Sequence, residues 1–206
     1  MKTMNQKGLL LVVSGPSGCG KGTVLSRVFA KQPNTYYSVS ATTRPPRPGE
    51  ENGVQYYFLT REAFEERIAS GQMLEYAQYA GNYYGTPAQA VDAQLAQGKN
   101  VVLEIEVQGA KQVKLRRPDA VMVFIMPPSM KELRRRLQER GTEAQEVIQR
   151  RMDTARLEMP QAKDYDYIVF NDTVEEAAED ICAILRAGRC LAQKNLARLD
   201  RAIQEA

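Results

Sequence analysis

Nine residues near the start of the chain carry its densest chemistry: Gly15-Pro16-Ser17-Gly18-Cys19-Gly20-Lys21-Gly22-Thr23. They follow the apolar run Leu9-Leu10-Leu11-Val12-Val13 and open a helix-like stretch, the context a phosphate loop of the Walker A type requires. Glycines let successive backbone N–H groups turn inward around phosphate oxygens, and the following helix directs its positive end there. Lys21 can then reach the outer phosphates as a mobile point charge. A merely glycine-rich strand-to-helix turn is the weaker alternative. The pattern departs at one place. Gly22 stands directly after the lysine, where a Ser or Thr hydroxyl would meet Mg²⁺, and Thr23 follows it. Cys19 lies inside the loop, where a helix N-terminus can lower a thiol pKa and make it reactive. Nothing near it supplies a base, so a small residue incidental to phosphate binding is the preferred reading.

Three more groups of residues have chemical potential. Arg44 and Arg47 lie on a proline-stiffened run, Arg44-Pro45-Pro46-Arg47-Pro48-Gly49, whose spacing suits bidentate recognition of a phosphate dianion. Tyr56 and Tyr84 can add hydroxyl donors; a solvated charged loop is the alternative. Glu104 and Glu106 end or follow an apolar run, like Walker B acids, or else form a solvated edge. The neighbours Val101, Val102, Leu103, Ile105 and Val107 favour a central strand. The stretch 134–151 holds Arg134, Arg135, Arg136, Arg140, Arg150 and Arg151, some of which belong to a solvated face.

These residues need a scaffold, and composition bounds it. The 206 residues suit one domain with an insertion. Lys plus Arg number 28 against 25 Asp plus Glu, so functional positive charge must be local, and no nucleic-acid partner is expected. The longest apolar run, Ala120 to Met126, falls far below the ~20 residues that span a bilayer, so no membrane association is expected. Lys2 and Lys7 before the Leu9–Val13 run mimic a secretory signal, but that run is shorter than an h-region of ~7–15 residues. Histidine is absent, which excludes His-ligated zinc and a Ser-His-Asp triad. The three cysteines form no CxxC pair, and a cytoplasmic, reducing location is expected.

Short β-rich runs alternate with helical patterns, the signature of an α/β domain with a parallel sheet. Strands are expected at Leu9–Val13, Tyr36–Ser40, Val101–Val107, Val121–Met126 and Tyr167–Asn171. Capping boxes are expected at Thr86 with Gln89 (Pro87 opening the helix), Ser129 with Glu132, Thr142 with Gln145, and Thr173 with Glu176. Gly98 and Gly141 read as helix stops. Residues 36–85 break the alternation as a small β-rich insertion. Segment 173–205 reads as helix with Ile181, Ile184, Leu185, Leu196, Leu199 and Ile203 as its apolar stripe.

Taken in order, the phosphate loop, the Ser38–Phe58 segment, Gly81-Asn82-Tyr83-Tyr84-Gly85-Thr86 and Leu103-Glu104-Ile105-Glu106-Val107-Gln108-Gly109 resemble the guanylate kinase family. The resemblance runs from about residue 8 to residue 172. It implies a P-loop three-layer α/β fold: core 1–36, 91–128 and 161–206, a GMP-binding insertion at about 37–90, and an Arg-rich helical lid at about 129–160. It implies ATP-dependent phosphorylation of GMP or dGMP to GDP or dGDP, by a monomer or homodimer. Residues 15–23 would bind ATP. Arg44, Arg47, Tyr56 and Tyr84 would bind the GMP phosphate. Ser40, Glu75 and Thr86 would contact guanine, with Glu50, Glu104 and Glu106 completing the acceptor side. Lys21, Arg136, Arg140 and Arg151 would carry catalysis. Thr23 and Glu104 would hold Mg²⁺, directly or through water, and Asn171-Asp172 would flank adenine. One carboxylate can accept from both guanine N1–H and its N2 amine, while hydroxyls donate to O6. The alternatives are another nucleoside monophosphate kinase, or a guanylate-kinase-like module that holds phosphopeptides.

Overall fold

The computed structural model describes residues 7–139 and 144–204. In chain order the elements are β1 (Leu10–Ser14), α1 (Lys21–Lys31), β2 (Thr35–Tyr37), β3 (Ala41–Thr42), β4 (Tyr57–Phe58), α2 (Arg61–Ala69), β5 (Met73–Tyr79) and β6 (Asn82–Pro87). They continue as α3 (Ala88–Ala96), β7 (Asn100–Glu104), α4 (Val107–Arg116), β8 (Val121–Met126), α5 (Met130–Glu139), α6 (Gln145–Glu158), a 3₁₀ turn (Met159–Asp164), β9 (Tyr167–Phe170), α7 (Val174–Gly188) and α8 (Ala192–Gln204).

The core sheet is parallel, in the order β2-β7-β1-β8-β9. All five residues of β1 are buried because both faces of the strand are covered. Leu11 and Val13 face α1 and α7, packing with Val24, Val28, Ile181 and Leu185. Leu10 and Val12 face the other way, packing with Val91, Leu95, Ala110 and Val113 of α3 and α4. That alternation makes the three layers. Each such side chain, fully buried, stabilises the fold by roughly 1.5–3 kcal/mol. The loop after β1 emerges at the carboxyl end of the sheet, where open parallel sheets bind ligands.

The insertion forms a second sheet, β4-β3-β6-β5, over a small core of Ala41, Phe64 and Met73. Helices α5 and α6 pair through Leu133, Leu137, Ile148, Met152 and Ala155.

Several expectations need correction. The strand expected over 36–40 ends at Tyr37 as β2, residues 38–40 belong to no strand, and β3 begins only at Ala41 in the other sheet. Strand β7 stops at Glu104, because Val107 already belongs to α4 and packs on Phe124 and Ala162. Thr86 caps no helix. It lies in β6, and α3 starts at Ala88 behind Pro87 without a side-chain cap. The Ser129 and Thr173 caps form, since each hydroxyl accepts from the backbone N–H three residues on, at 3.1 Å and 3.2 Å. The Thr142 cap and the Gly141 stop lie outside the described residues. The C-terminal helix breaks at residues 189–191. Ile181, Ile184 and Leu185 are buried, whereas Leu196, Leu199 and Ile203 are 52%, 53% and 66% exposed.

Candidate active site

The phosphate loop is pinned from behind. Gly18 and Gly20 adopt φ of 90° and 94°, which glycine reaches without strain. A Cβ on Gly18 would stand 2.6 Å from Leu137 of α5, and one on Gly20 would stand 2.5 Å from Asn171 Nδ2. Asn171, buried after β9, donates from Nδ2 to Cys19 O at 2.7 Å. Lys21 curls back over the loop and donates to Gly15 O at 2.6 Å and Pro16 O at 3.2 Å. Its ammonium is thereby held where phosphates would enter. The Cys19 thiol is fully buried, and desolvation pushes its pKa up against the lowering effect of Lys21. A buried thiol with a raised pKa is a poor nucleophile.

A cleft of about 680 Å³ joins the loop to the insertion. Gly15, Ser17 and Lys21 line one end; Ser40, Tyr56, Glu75 and Tyr84 line the other; Glu104, Glu106 and Gly109 lie along its wall. Arg151, Thr154 and Glu158 project into it from α6, three and four residues apart on one helix face. Arg151 reaches Ser17, with Nη1 at 3.4 Å from its Oγ. Burial raises the Glu158 pKa, against nearby Lys21.

Glu75 is 7% exposed, and desolvation raises its pKa. The Thr86 hydroxyl donates to its Oε1 at 2.7 Å. That proton is committed, which leaves Ser40 as the expected hydroxyl that lines the cleft. Glu50 is a brace. Its Oε1 accepts from Arg44 Nη2 at 2.9 Å and its Oε2 from the Arg47 N–H at 2.7 Å. Those two bonds hold its carboxyl below the usual range. The Arg44 guanidinium stands 5.6 Å from the Tyr56 ring centre, beside the cleft. Arg47 is exposed on the loop. Glu104 ends β7 and accepts from the Tyr37 hydroxyl at 3.3 Å; burial and this carboxylate push the Tyr37 pKa up to about 12. Glu106 is the N-cap residue of α4, so the two acids do not share a strand face.

A second cavity of about 390 Å³ opens behind the loop, lined by Gly18, Gly20, Thr23, Arg136, Glu139, Asn171 and Val174. Thr23 and Glu104 therefore face different cavities. Arg136 donates to Glu132 at 2.8 Å, to Asn171 O at 2.9 Å and to Cys19 O at 3.4 Å. The guanidinium thus ties α5 to the loop. Asn171 Oδ1 has no hydrogen-bond partner among the described residues. Arg140 lies outside them.

This geometry coincides with a family match. The family model described as Guanylate kinase covers residues 7–188. The chain belongs to the guanylate kinase family. A guanylate kinase of Lactococcus lactis is 56% identical over 184 residues, covering 89% of this chain and 90% of that protein. One from Streptococcus pyogenes is 52% identical over 202 residues, covering 98% and 96%. The crystal structure of guanylate kinase from Anaplasma phagocytophilum superimposes with a TM-score of 0.71 at 36% identity, over 95% of this chain and 94% of that one. Helix α8 falls beyond the residues the family model matches. The sequence reading passed over Tyr37, Thr154 and Glu158 at the cleft, because no local motif marks them.

Proposed function

We propose that the chain transfers the γ-phosphoryl group of ATP to GMP or dGMP, giving ADP and GDP or dGDP. One observation carries this reading: a single cleft has a phosphate-loop lysine at one end and a buried carboxylate at the other. Guanine offers N1–H and the N2 amine side by side, and the Glu75 carboxylate suits both. AMP would instead turn the N1 lone pair toward that carboxylate. Arg44, Tyr56 and Tyr84 suit the GMP phosphate, with Arg47 on the same stiff loop and Glu50 bracing Arg44. Ser40 is assigned to O6, and Thr86 acts on guanine through Glu75.

ATP is assigned to residues 15–23, with its base in the second cavity beside Arg136. There the unpartnered Asn171 Oδ1 suits an exocyclic amine. Lys21 and Arg151 would stabilise charge spread over the transferring group, the dominant contribution in phosphoryl transfer. Arg140 takes the same role on the sequence alone. The attacking oxygen is a phosphate oxygen that is already ionised, so no general base is needed. The insertion at about 37–90 and the lid at about 129–160 are read as the acceptor-binding and closing parts of one domain.

Among the described residues, no group of three or more His, Cys, Asp and Glu could cage a metal. That fits Mg²⁺, which usually keeps several waters and binds through one or two carboxylates plus substrate phosphates. Glu104, with Glu106 nearby, would hold it on the cleft side; Thr23, opening on the other cavity, is the weaker candidate. The ion would neutralise charge on the β- and γ-oxygens. No described helix is long and apolar enough to cross a membrane. The free cysteines fit a reducing cytoplasm.

A coupled ADP-release assay across AMP, GMP, dGMP, CMP, UMP and dTMP, with and without Mg²⁺, tests the proposal. Turnover is expected with GMP and dGMP, and only with Mg²⁺. Equal turnover of AMP would overturn it.

A further inference from the structure

Strand β5 carries Glu75 and is the outer edge of the insertion sheet, so its outward backbone groups lack a neighbouring strand. Helix α4 of the core takes that neighbour's place. Three residues on one of its faces, Gly109, Gln112 and Arg116, meet three consecutive residues of β5. Arg116 Nη1 donates to Leu74 O at 2.8 Å. Gln112 makes a two-way pair with Tyr76: the Tyr76 N–H donates to Oε1 at 3.2 Å, and Nε2 donates to Tyr76 O at 3.0 Å. Between these anchors lies the Glu75 side chain. It passes so close to Gly109 that a Cβ there would stand 2.8 Å from Oε2, 3.3 Å from Cδ and 3.4 Å from Cγ.

Gly109 is the third residue of α4, in its first turn, and a side chain at that position would crowd the carboxylate. Thr86 holds Oε1 from the sheet side, and the bare backbone of Gly109 leaves room for Oε2 on the helix side. The irregular register of β5 on β6 between Met73 and Glu75 adds to the picture. The β5–β6 ladder is disturbed where Glu75 sits, and α4 holds the backbone on either side of it.

We propose that this face of α4 positions Glu75 for guanine, so that Gly109 and Gln112 set base specificity by acting through that carboxylate. The inference rests on the reading of Glu75 as the guanine acceptor. It also links the two sheets: the base is read by the insertion, but the reader is aimed by the core.

The test is a double-mutant cycle read with GMP and IMP, which lacks only the N2 amine, at saturating MgATP. Gly109→Ala is expected to lower the GMP/IMP ratio of kcat/KM about tenfold, through the GMP KM, with kcat and the ATP KM changed less than about threefold. In a Glu75→Ala background the same substitution is expected to change the ratio less than about twofold, since no carboxylate remains to be displaced. Gln112→Ala, alone and with Glu75→Ala, reads the same coupling without adding an atom, and is expected to lower the ratio about threefold. Equal losses in both backgrounds would mean a packing role and overturn the proposal. So would an unchanged ratio in both single variants, Gly109→Ala and Gln112→Ala, while Glu75→Ala lowers it. If Glu75→Ala itself leaves the ratio unchanged, the carboxylate does not read the base, and the reading of the site fails together with the inference built on it.

Discussion

The Thr86 hydroxyl donates to Glu75 Oε1 at 2.7 Å across an antiparallel pair in which the two residues are register partners. The bond decides which carboxylate oxygen faces a ligand, and therefore what Glu75→Gln would do. The glutamine oxygen would take the Thr86 proton, and the amide nitrogen would occupy the place of Oε2. A donor would then face the guanine donors. With charge-assisted hydrogen bonds worth about 1.5–3 kcal/mol each, kcat/KM for GMP should fall about 10²–10³-fold. AMP turnover should stay low and change far less. Steady-state kinetics with both nucleotides checks this, and an unchanged GMP/AMP ratio would remove Glu75 from base recognition.

The burial of Glu75 makes GMP binding sensitive to acid. Its pKa is raised in the folded protein, so the carboxylate takes up a proton at a higher pH than exposed glutamates, which titrate near ~4.3. The sign is that of a raised acid. Its burial weighs against folding above that pKa, and this penalty fades as pH falls through it. GMP needs the ionised form, so KM for GMP should rise as pH falls through that raised pKa. The substrate phosphate also titrates near ~6, but it does so identically in Glu75→Gln. The pH profile of KM should therefore flatten in the variant by the Glu75 contribution alone.

The phosphate loop, the Ser129 and Thr173 caps and the strand at Val121–Met126 were legible in the sequence because each is decided within a few residues. Thr86 was not. Its spacing to Gln89 matched a capping box, but a strand partner eleven residues away took the hydroxyl. The apolar run at 101–107 read as one strand, since periodicity does not reveal that Val107 already serves a helix face against Phe124. Glu50 was placed on the acceptor side by the family resemblance, and its two bonds to the Arg44–Arg47 loop are not visible in sequence. Gly109 stood within a recognised motif, yet its closeness to Glu75 depends on how α4 meets β5.

Gly20→Ala tests the wall between the two cavities. The residue has φ of 94°, and its Cβ would meet Asn171 Nδ2 at 2.5 Å, the atom that donates to Cys19 O. Backbone strain plus the lost hydrogen bond should lower stability by about 1–3 kcal/mol. The ATP KM should rise several-fold and the GMP KM much less. A thermal melt with steady-state kinetics reads both, and an equal rise in the two constants would contradict separate cavities.

Arg151 and Arg44 should fail in different ways. Arg151 comes from α6 and meets the loop at Ser17, where the proposed transfer would develop charge. Arg151→Ala should lower kcat about 10²–10³-fold, with little change in the GMP KM. Arg44 stands at the acceptor end, held by Glu50 and beside the Tyr56 ring, before any chemistry occurs. Arg44→Ala should raise the GMP KM about tenfold or more, because a ground-state phosphate contact is lost. Identical patterns for the two variants would show that the division between binding and transfer is wrong.

Lys21→Met separates the phosphate loop as a piece of fold from the loop as a catalyst. Among the described residues the ammonium donates only to Gly15 O and Pro16 O, both within its own loop, while the core beneath is closed by Val24, Leu25 and Val28. Methionine keeps most of the length and loses the charge, so the apolar contacts of α1 persist. Each lost hydrogen bond to a loop carbonyl is worth about 1 kcal/mol. The melting temperature should therefore move by only a few degrees. Turnover should respond far more. Charge stabilisation of the transferring phosphoryl group is the main catalytic contribution, and removing one preorganised donor costs about 10²–10³ in kcat. A full positive charge at this position should cost at least that, while the GMP KM stays near its original value, since the acceptor end of the cleft is untouched. Circular-dichroism melting and kinetics on the same sample decide the matter. A folded Lys21→Met protein with undiminished turnover would mean that the loop does not handle the transferring phosphate.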